Sequence, residues 1–155
     1  MVEKLVIFDS VFGNTEKVAH AIGEALGDAP VRKVDQVTEQ DLQNLEILLV
    51  GSPTRAFQPT PAIKNFLKGL DSGKLSDVKA AVFDTRIPKD KTDSGFLKLM
   101  INLFGYADTK IEKLLLKSGA NISLESTGFA VTGTEGPLAE GELDRAKAWA
   151  KRIFE

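Results

Sequence analysis

No cysteine occurs among the 155 residues, which excludes disulfides, thiolate metal sites, cysteine-ligated iron–sulfur clusters and a cysteine nucleophile. The one histidine, His20, cannot build a polyhistidine centre, and its place beside an apolar helical stripe reads as a solvated surface position. Neither charge sign dominates: 20 Lys and Arg against 22 Asp and Glu leave a net charge of −2, so the strong basic field of a nucleic-acid binder is absent. No apolar run approaches bilayer length, and no charged-then-apolar leader precedes the first strand signal, so no membrane span and a cytoplasmic location are expected. What is present is ordinary for a globular protein, at 43% hydrophobic and 27% charged residues. A single domain over residues 1–155 is expected, long enough to bury a core without staples.

Strand signals recur at Lys4–Asp9, Val31–Val34, Ile47–Gly51, Ala80–Asp84 and, broken, at Ile122–Val131, with helical patterns between them. The first, third and fourth are nearly continuous apolar runs, as parallel strands covered on both faces require. The helical patterns run over Thr15–Leu26, ended by Gly27; near Thr38–Asn44, opened by a capping-like Thr38-Glu39-Gln40-Asp41; and from Pro61, with Ile63, Phe66, Leu67 and Leu70 aligned. A further region from Phe96 to Ser118 is interrupted around Gly105–Asp108. The last pattern, Ala139–Phe154, carries Leu143, Ala146, Trp149, Ala150 and Ile153 on one face, which makes Trp149 a core aromatic. Between Asn121 and Gly136 the segment Glu125-Ser126-Thr127-Gly128 splits the strand signal and suggests a bulge or a turn.

The most informative local feature is Asp9-Ser10-Val11-Phe12-Gly13-Asn14-Thr15-Glu16, which joins the first strand to the first helix. A helix start offers unpaired N–H groups and the positive end of the peptide dipole, and both attract phosphate. Ser10, Asn14 and Thr15 add side-chain donors, and Gly13 admits a close backbone approach. Cations are missing from the turn itself, with Lys17 following in the first helical turn. A P-loop's spaced glycines and Gly-Lys-Ser/Thr ending are absent. Plain helix capping by the same three residues is the alternative reading.

In a doubly wound sheet of order 2-1-3-4-5, ligands bind beyond the strand carboxyl ends between strands one and three. The converging loops are then Ser10–Thr15, Ser52–Thr60 and Thr85–Gly95, the last two longer than usual. They would hold a phosphate at the first and a flat, partly apolar group between the others, with Phe57 as a stacking surface and Pro53, Pro59 and Pro88 stiffening the walls. A receiver domain fails because strand three ends Gly51-Ser52 without an aspartate. A Rossmann dinucleotide turn fails because only Gly13 of its glycines is present.

Ser10-x-x-Gly13-Asn14-Thr15-Glu16 together with Gly51-Ser52-Pro53-Thr54-Arg55 resembles the flavodoxin family over nearly the whole chain. The resemblance implies an α/β, flavodoxin-like three-layer sandwich with a five-stranded parallel sheet in order 2-1-3-4-5, of the short-chain class. It also implies FMN as cofactor. Carried over, the phosphate would be held by Ser10, Val11, Phe12, Gly13, Asn14 and Thr15, and the flavin ring flanked by Pro53, Thr54, Arg55, Ala56, Phe57, Gln58, Thr85 and Arg86. Three features depart from the family pattern. Phe12 replaces a hydroxyl residue, as in flavodoxin-like NAD(P)H:quinone oxidoreductases; no glycine occurs among Thr54–Gln58, where carriers use a peptide that flips toward flavin N5; and the strand-four loop has no Tyr or Trp.

Small size favours an FMN electron carrier that docks on redox partner proteins. The alternatives are an FMN-dependent NAD(P)H:quinone oxidoreductase-like enzyme and a flavin-free interaction module of the same fold. Arg55, Arg86, Lys89 and Lys91 against Asp84, Asp90 and Asp93 give a mouth without the acidic collar of a carrier that steers onto basic partners. Side chains on all of Thr54–Gln58 should make a positive-φ flip costly, and cations near the ring should favour a reduced anionic flavin. Both effects predict that the two one-electron reduction steps lie close together.

Overall fold

The computed structural model describes residues 2–91 and 94–155; Thr92 and Asp93 of the strand-four loop lie outside the described residues, as does the Lys91 side chain. In chain order the elements are β1 (Lys4–Phe8), α1 (Asn14–Ala25), β2 (Val31–Lys33), β3 (Ile47–Pro53), α2 (Pro61–Lys68), β4 (Lys79–Arg86), α3 (Gly95–Phe104), α4 (Ala107–Lys117), β5 (Asn121–Ile122), β6 (Thr127–Ala130) and α5 (Glu142–Lys151). All the strand pairings are parallel and run β2-β1-β3-β4-β5, with β6 also paired to β4. The fifth strand of the expected order is thus two pieces on one edge. Ser123–Ser126 separates them, where the sequence suggested a bulge or turn.

Because side chains alternate along a strand, the continuous apolar runs feed two cores at once. Leu5, Ile7, Leu48, Val50, Ala80 and Val82 meet Ile63 and Leu67 of α2 and Ala107, Ile111 and Leu115 of α4. On the opposite face Val6, Phe8, Ile47, Leu49, Ala81 and Phe83 meet Val18, Ala19 and Ile22 of α1 and Ala146, Trp149 and Ala150 of α5. Phe83, Phe129 and Trp149 pack edge to face there, with centroids 6.0–6.5 Å apart, and the Trp149 indole N–H donates to the Glu125 carbonyl at 2.9 Å. Gly51 is required at its place in β3, since a Cβ would stand 2.1 Å from the Phe83 ring.

Several boundaries differ from the sequence expectations for local reasons. The Thr38–Asn44 helix is one 3-10 turn, Glu39–Leu42, started by a Thr38–Asp41 capping box that the pattern did indicate. α5 begins at Glu142 rather than Ala139, because Gly141 turns the chain at φ 84, and this leaves Leu143 exposed rather than in the core stripe. β4 extends through Thr85 and Arg86, whose backbones pair with Phe129 and Ala130 of β6. The Phe96–Ser118 region is two helices separated at Gly105 (φ 72) and Tyr106. No helix among the described residues is long and apolar enough to cross a membrane.

Candidate functional site

Parallel strands send all their carboxyl ends, and the amino ends of the following helices, to one edge of the sheet. Two of these helix N-termini, those of α1 and α4, have opposite fates. At α4 the first donors are occupied: Ala107 N–H donates to Thr54 Oγ1 at 3.1 Å and Asp108 N–H to Asp84 Oδ2 at 3.1 Å. At α1 they are open. Among the described residues, the N–H groups of Val11, Phe12, Asn14 and Thr15 have no protein acceptor, while those of Gly13 and Glu16 go to Ser10 Oγ at 3.1 and 3.4 Å. Gly13 turns the chain at φ 93 between these donors, and nothing lies within 4 Å of where its Cβ would be.

The side chains of this loop divide the work in a way the sequence does not disclose. Ser10 accepts two N–H groups at the helix start and keeps its own hydroxyl proton for another acceptor. Asn14 donates to the Glu135 carbonyl at 3.1 Å, anchoring the loop after β6. Thr15 is buried and shares a 2.8 Å hydrogen bond with Thr85 at the end of β4. Capping therefore falls to Ser10 alone of the three.

These groups open into a cleft of about 210 Å³ lined by Ser10, Val11, Phe12, Asn14 and Thr15 on one side and by Pro53, Thr54, Arg55, Ala56, Thr85 and Arg86 on the other. Ile87, Val131 and Thr134 complete the wall. The last two come from the segment after β6, Val131 at the end of the broken strand signal and Thr134 beyond it in the irregular region that runs to Gly136. Its run of Thr132-Gly133-Thr134-Glu135-Gly136-Pro137, at the carboxyl end of a strand, was the available signal.

Phe57 and Gln58 stand outside this lining. Arg55 and Gln58 exchange backbone hydrogen bonds at 2.8 and 2.9 Å around Ala56 (φ 48) and Phe57 (φ 68), a two-residue turn with positive φ at both central positions. The conformation expected to be costly without glycine is thus already adopted. The turn swings the Phe57 ring onto Phe104 at 5.8 Å, beside a second, apolar cleft of about 170 Å³. Phe57, Leu97, Ile101 and Tyr106 line that cleft, and it shares Thr54, Ala56, Arg86 and Ile87 with the first.

Arg86 stands between the two clefts, but its charge is matched inside the protein. Its guanidinium holds both oxygens of Asp84 at 2.6 and 2.7 Å, reaches Asp108 at 3.0 Å and lies 3.7 Å over the Tyr106 ring. Ser126 donates to Asp108 at 3.0 Å. Burial pushes the Asp84 carboxyl from 3.8 up to about 6 against the pull of Arg86. For Arg86 burial acts downward, and the two carboxylates outweigh it and keep the guanidinium charged. Gly128 cradles this group, since a Cβ would fall 1.9 Å from Arg86 Nε. Arg55 is the other cation in the cleft lining, 5.4 Å over the Phe12 ring.

A family model described as "Flavodoxin domain" matches residues 5–123. Among solved structures, oxidised Flavodoxin 1 from Bacillus cereus superposes with a TM-score of 0.71 at 20% identity, covering 97% of each chain. The flavodoxin, WrbA-like protein from Agrobacterium tumefaciens gives 0.73 at 20% identity over 99% of this chain and 95% of that one. Rubredoxin oxygen:oxidoreductase from Desulfovibrio gigas gives 0.69 at 19% identity, with 98% of this chain covering 35% of that larger one. At these identities the likeness is one of fold. No curated protein matches the chain.

Proposed function

Since the chain belongs to the flavodoxin family, we propose that it is an FMN-binding electron-transfer protein that exchanges electrons with redox partner proteins. The observation that carries this reading is the set of unpaired N–H groups at Val11, Phe12, Asn14 and Thr15, facing a cleft between the loops of β1, β3 and β4. The donors suit a terminal phosphate monoester: several neutral N–H groups, a free hydroxyl proton on Ser10 and a helix dipole, without a lysine inside the turn. When bound, FMN supplies the electron-accepting ring, and the protein positions it and sets its electrostatics. Ser10 and the α1 donors fix the phosphate end. Pro53–Ala56 and Thr85–Arg86 wall the cleft where the ring would lie, and the Asp84–Arg86–Asp108 network holds that wall rigid without a net positive charge.

Reconstitution with FMN, riboflavin and FAD tests the assignment, read by flavin fluorescence and absorbance. FMN is expected to bind at least about a hundredfold more tightly than riboflavin, as hydrogen bonds to a charged phosphate require. Equal affinities would remove the phosphate site. A second reading, an FMN-dependent NAD(P)H:quinone oxidoreductase-like enzyme, is favoured by the apolar cleft adjoining the first, which offers room for a second reactant. Rapid reduction of the bound flavin by NAD(P)H with multiple turnovers would select it.

A further inference from the structure

We propose that the outward face of α3 is a docking surface for an acidic protein partner whose contact patch has an apolar centre ringed by carboxylates. This rests on the electron-transfer reading for its purpose, although not for its test. α3 reads Gly-Phe-Leu-Lys-Leu-Met-Ile-Asn-Leu-Phe, and of its apolar residues only Ile101 is buried. Leu97 and Ile101 turn inward to line the apolar cleft. Phe96, Leu99 and Leu103, spaced i, i+3, i+7 on one face, are 73%, 53% and 66% exposed, and Phe104 follows at the helix end. Together the four present roughly 450 Å² of surface, comparable to the largest apolar patch of a typical monomer and commonly functional at that size.

Lysines border this ridge. Lys98 lies on α3, and Lys89 donates to Asn102 Oδ1. Lys110 donates to the carbonyls of Phe57 and Phe104, and its pKa is lowered by burial and by the nearby Lys113 and Lys64. None of Lys89, Lys98 and Lys110 forms an ion pair with a described carboxylate, although Asp108 acts on Lys110 at longer range and Asp90 and Glu112 lie on the same segments. An apolar centre bordered by lysines that form no ion pair with a described carboxylate calls for the opposite rim on the partner. A second copy fits poorly. Two-fold pairing would bring these lysines against one another, and the patch falls short of the roughly 800 Å² per partner of a standard stable interface, while matching the small, transient redox class. Since Leu97 and Ile101 wall the second, apolar cleft, a partner on the ridge would lie across that cleft from the proposed flavin site.

The test is amide chemical-shift mapping on the ¹⁵N-labelled full chain, with and without FMN, so that a failure to bind flavin is scored separately from a failure to dock. The probes are the soluble domain of cytochrome b5 as the acidic protein and cytochrome c as the basic one. Shifts from the acidic probe are expected across residues 96–104. Affinity should fall about tenfold when NaCl is raised from about 20 to about 200 mM. Lys89→Glu with Lys98→Glu, and separately Leu99→Ser with Leu103→Ser, should each weaken it at least about tenfold. All four side chains are outside the buried core, so far-ultraviolet circular dichroism should be unchanged. Equal or stronger binding of cytochrome c, or shifts from the acidic probe confined elsewhere, overturns the proposal. So does preferential binding of phosphatidylcholine–phosphatidylglycerol vesicles through these residues, or concentration-dependent self-association with α3 shifts.

Discussion

Replacing Ala56 with glycine probes the turn that distinguishes this cleft. Ala56 sits at φ 48 and Phe57 at φ 68, so two non-glycine residues hold a left-handed conformation that costs each roughly 1–2 kcal/mol. Glycine at position 56 relieves one such cost and gives back roughly 0.4–1 kcal/mol through the more flexible unfolded chain. The expected net gain is between zero and about 1.6 kcal/mol by urea unfolding. The redox consequence is larger. Turning the Ala56–Phe57 peptide over would require φ near +60° and ψ near −120° at position 56, a region open to glycine and penalised by about 1–3 kcal/mol for alanine. If that rotation accompanies the first electron, Ala56→Gly makes the first step easier by about 40–130 mV, at 59 mV per tenfold for one electron. Anaerobic spectroelectrochemical titration of the FMN-loaded protein should show closely spaced steps in the parent chain and separated steps in the variant. Unchanged potentials in a variant whose stability did rise would falsify the link between this peptide and the first electron. Widely spaced steps in the parent would defeat the argument earlier still.

Ser10→Ala should weaken FMN binding by about 1.5–3 kcal/mol and leave riboflavin affinity unchanged, with about 1 kcal/mol of stability lost as Gly13 and Glu16 N–H lose their acceptor; a parallel loss of riboflavin affinity would place the effect away from the phosphate. For Asp84, whose folded-state pKa is raised, the native protein retains a proton that the unfolded chain has released, so its contribution to stability is greatest near pH 4 and declines as pH rises to about 6. The stability difference between the parent and Asp84→Asn should therefore shrink by at most about 3 kcal/mol over that window and stay flat above it, and a difference that grows with pH would contradict burial as the dominant cause. Gly128→Ala drives a Cβ to 1.9 Å from a guanidinium clamped by two carboxylates, and about 3 kcal/mol of stability should be lost. Gly141→Ala, at φ 84 with nothing within 4 Å, should cost only about 1 kcal/mol, and equal losses at the two positions would show that the Arg86 cradle can yield.

Strand periodicity, helix stripes and the Ser10–Thr15 turn are local consequences of residue type, so the sequence alone carried the alternating elements, the two-sided core and the candidate turn, while the order of the sheet and the edge where the loops converge came from the family resemblance. Gly13, Pro61 at the start of α2, and the Thr38 box are legible because each acts within three or four residues of itself. Pairing across the sheet has no such local signature. Thr15 with Thr85, separated by 70 residues, and Asn14 with Glu135, separated by 121, are ties between distant loops that no local pattern announces. Arg86 reads as a rim cation until the fold brings Asp84 and Asp108 to it. Phe57 reads as a wall of the first cleft until the turn at Ala56 swings it onto Phe104. The ridge on α3 looks in sequence like any buried helix, because composition records that residues are apolar; only packing decides which of them the rest of the chain covers.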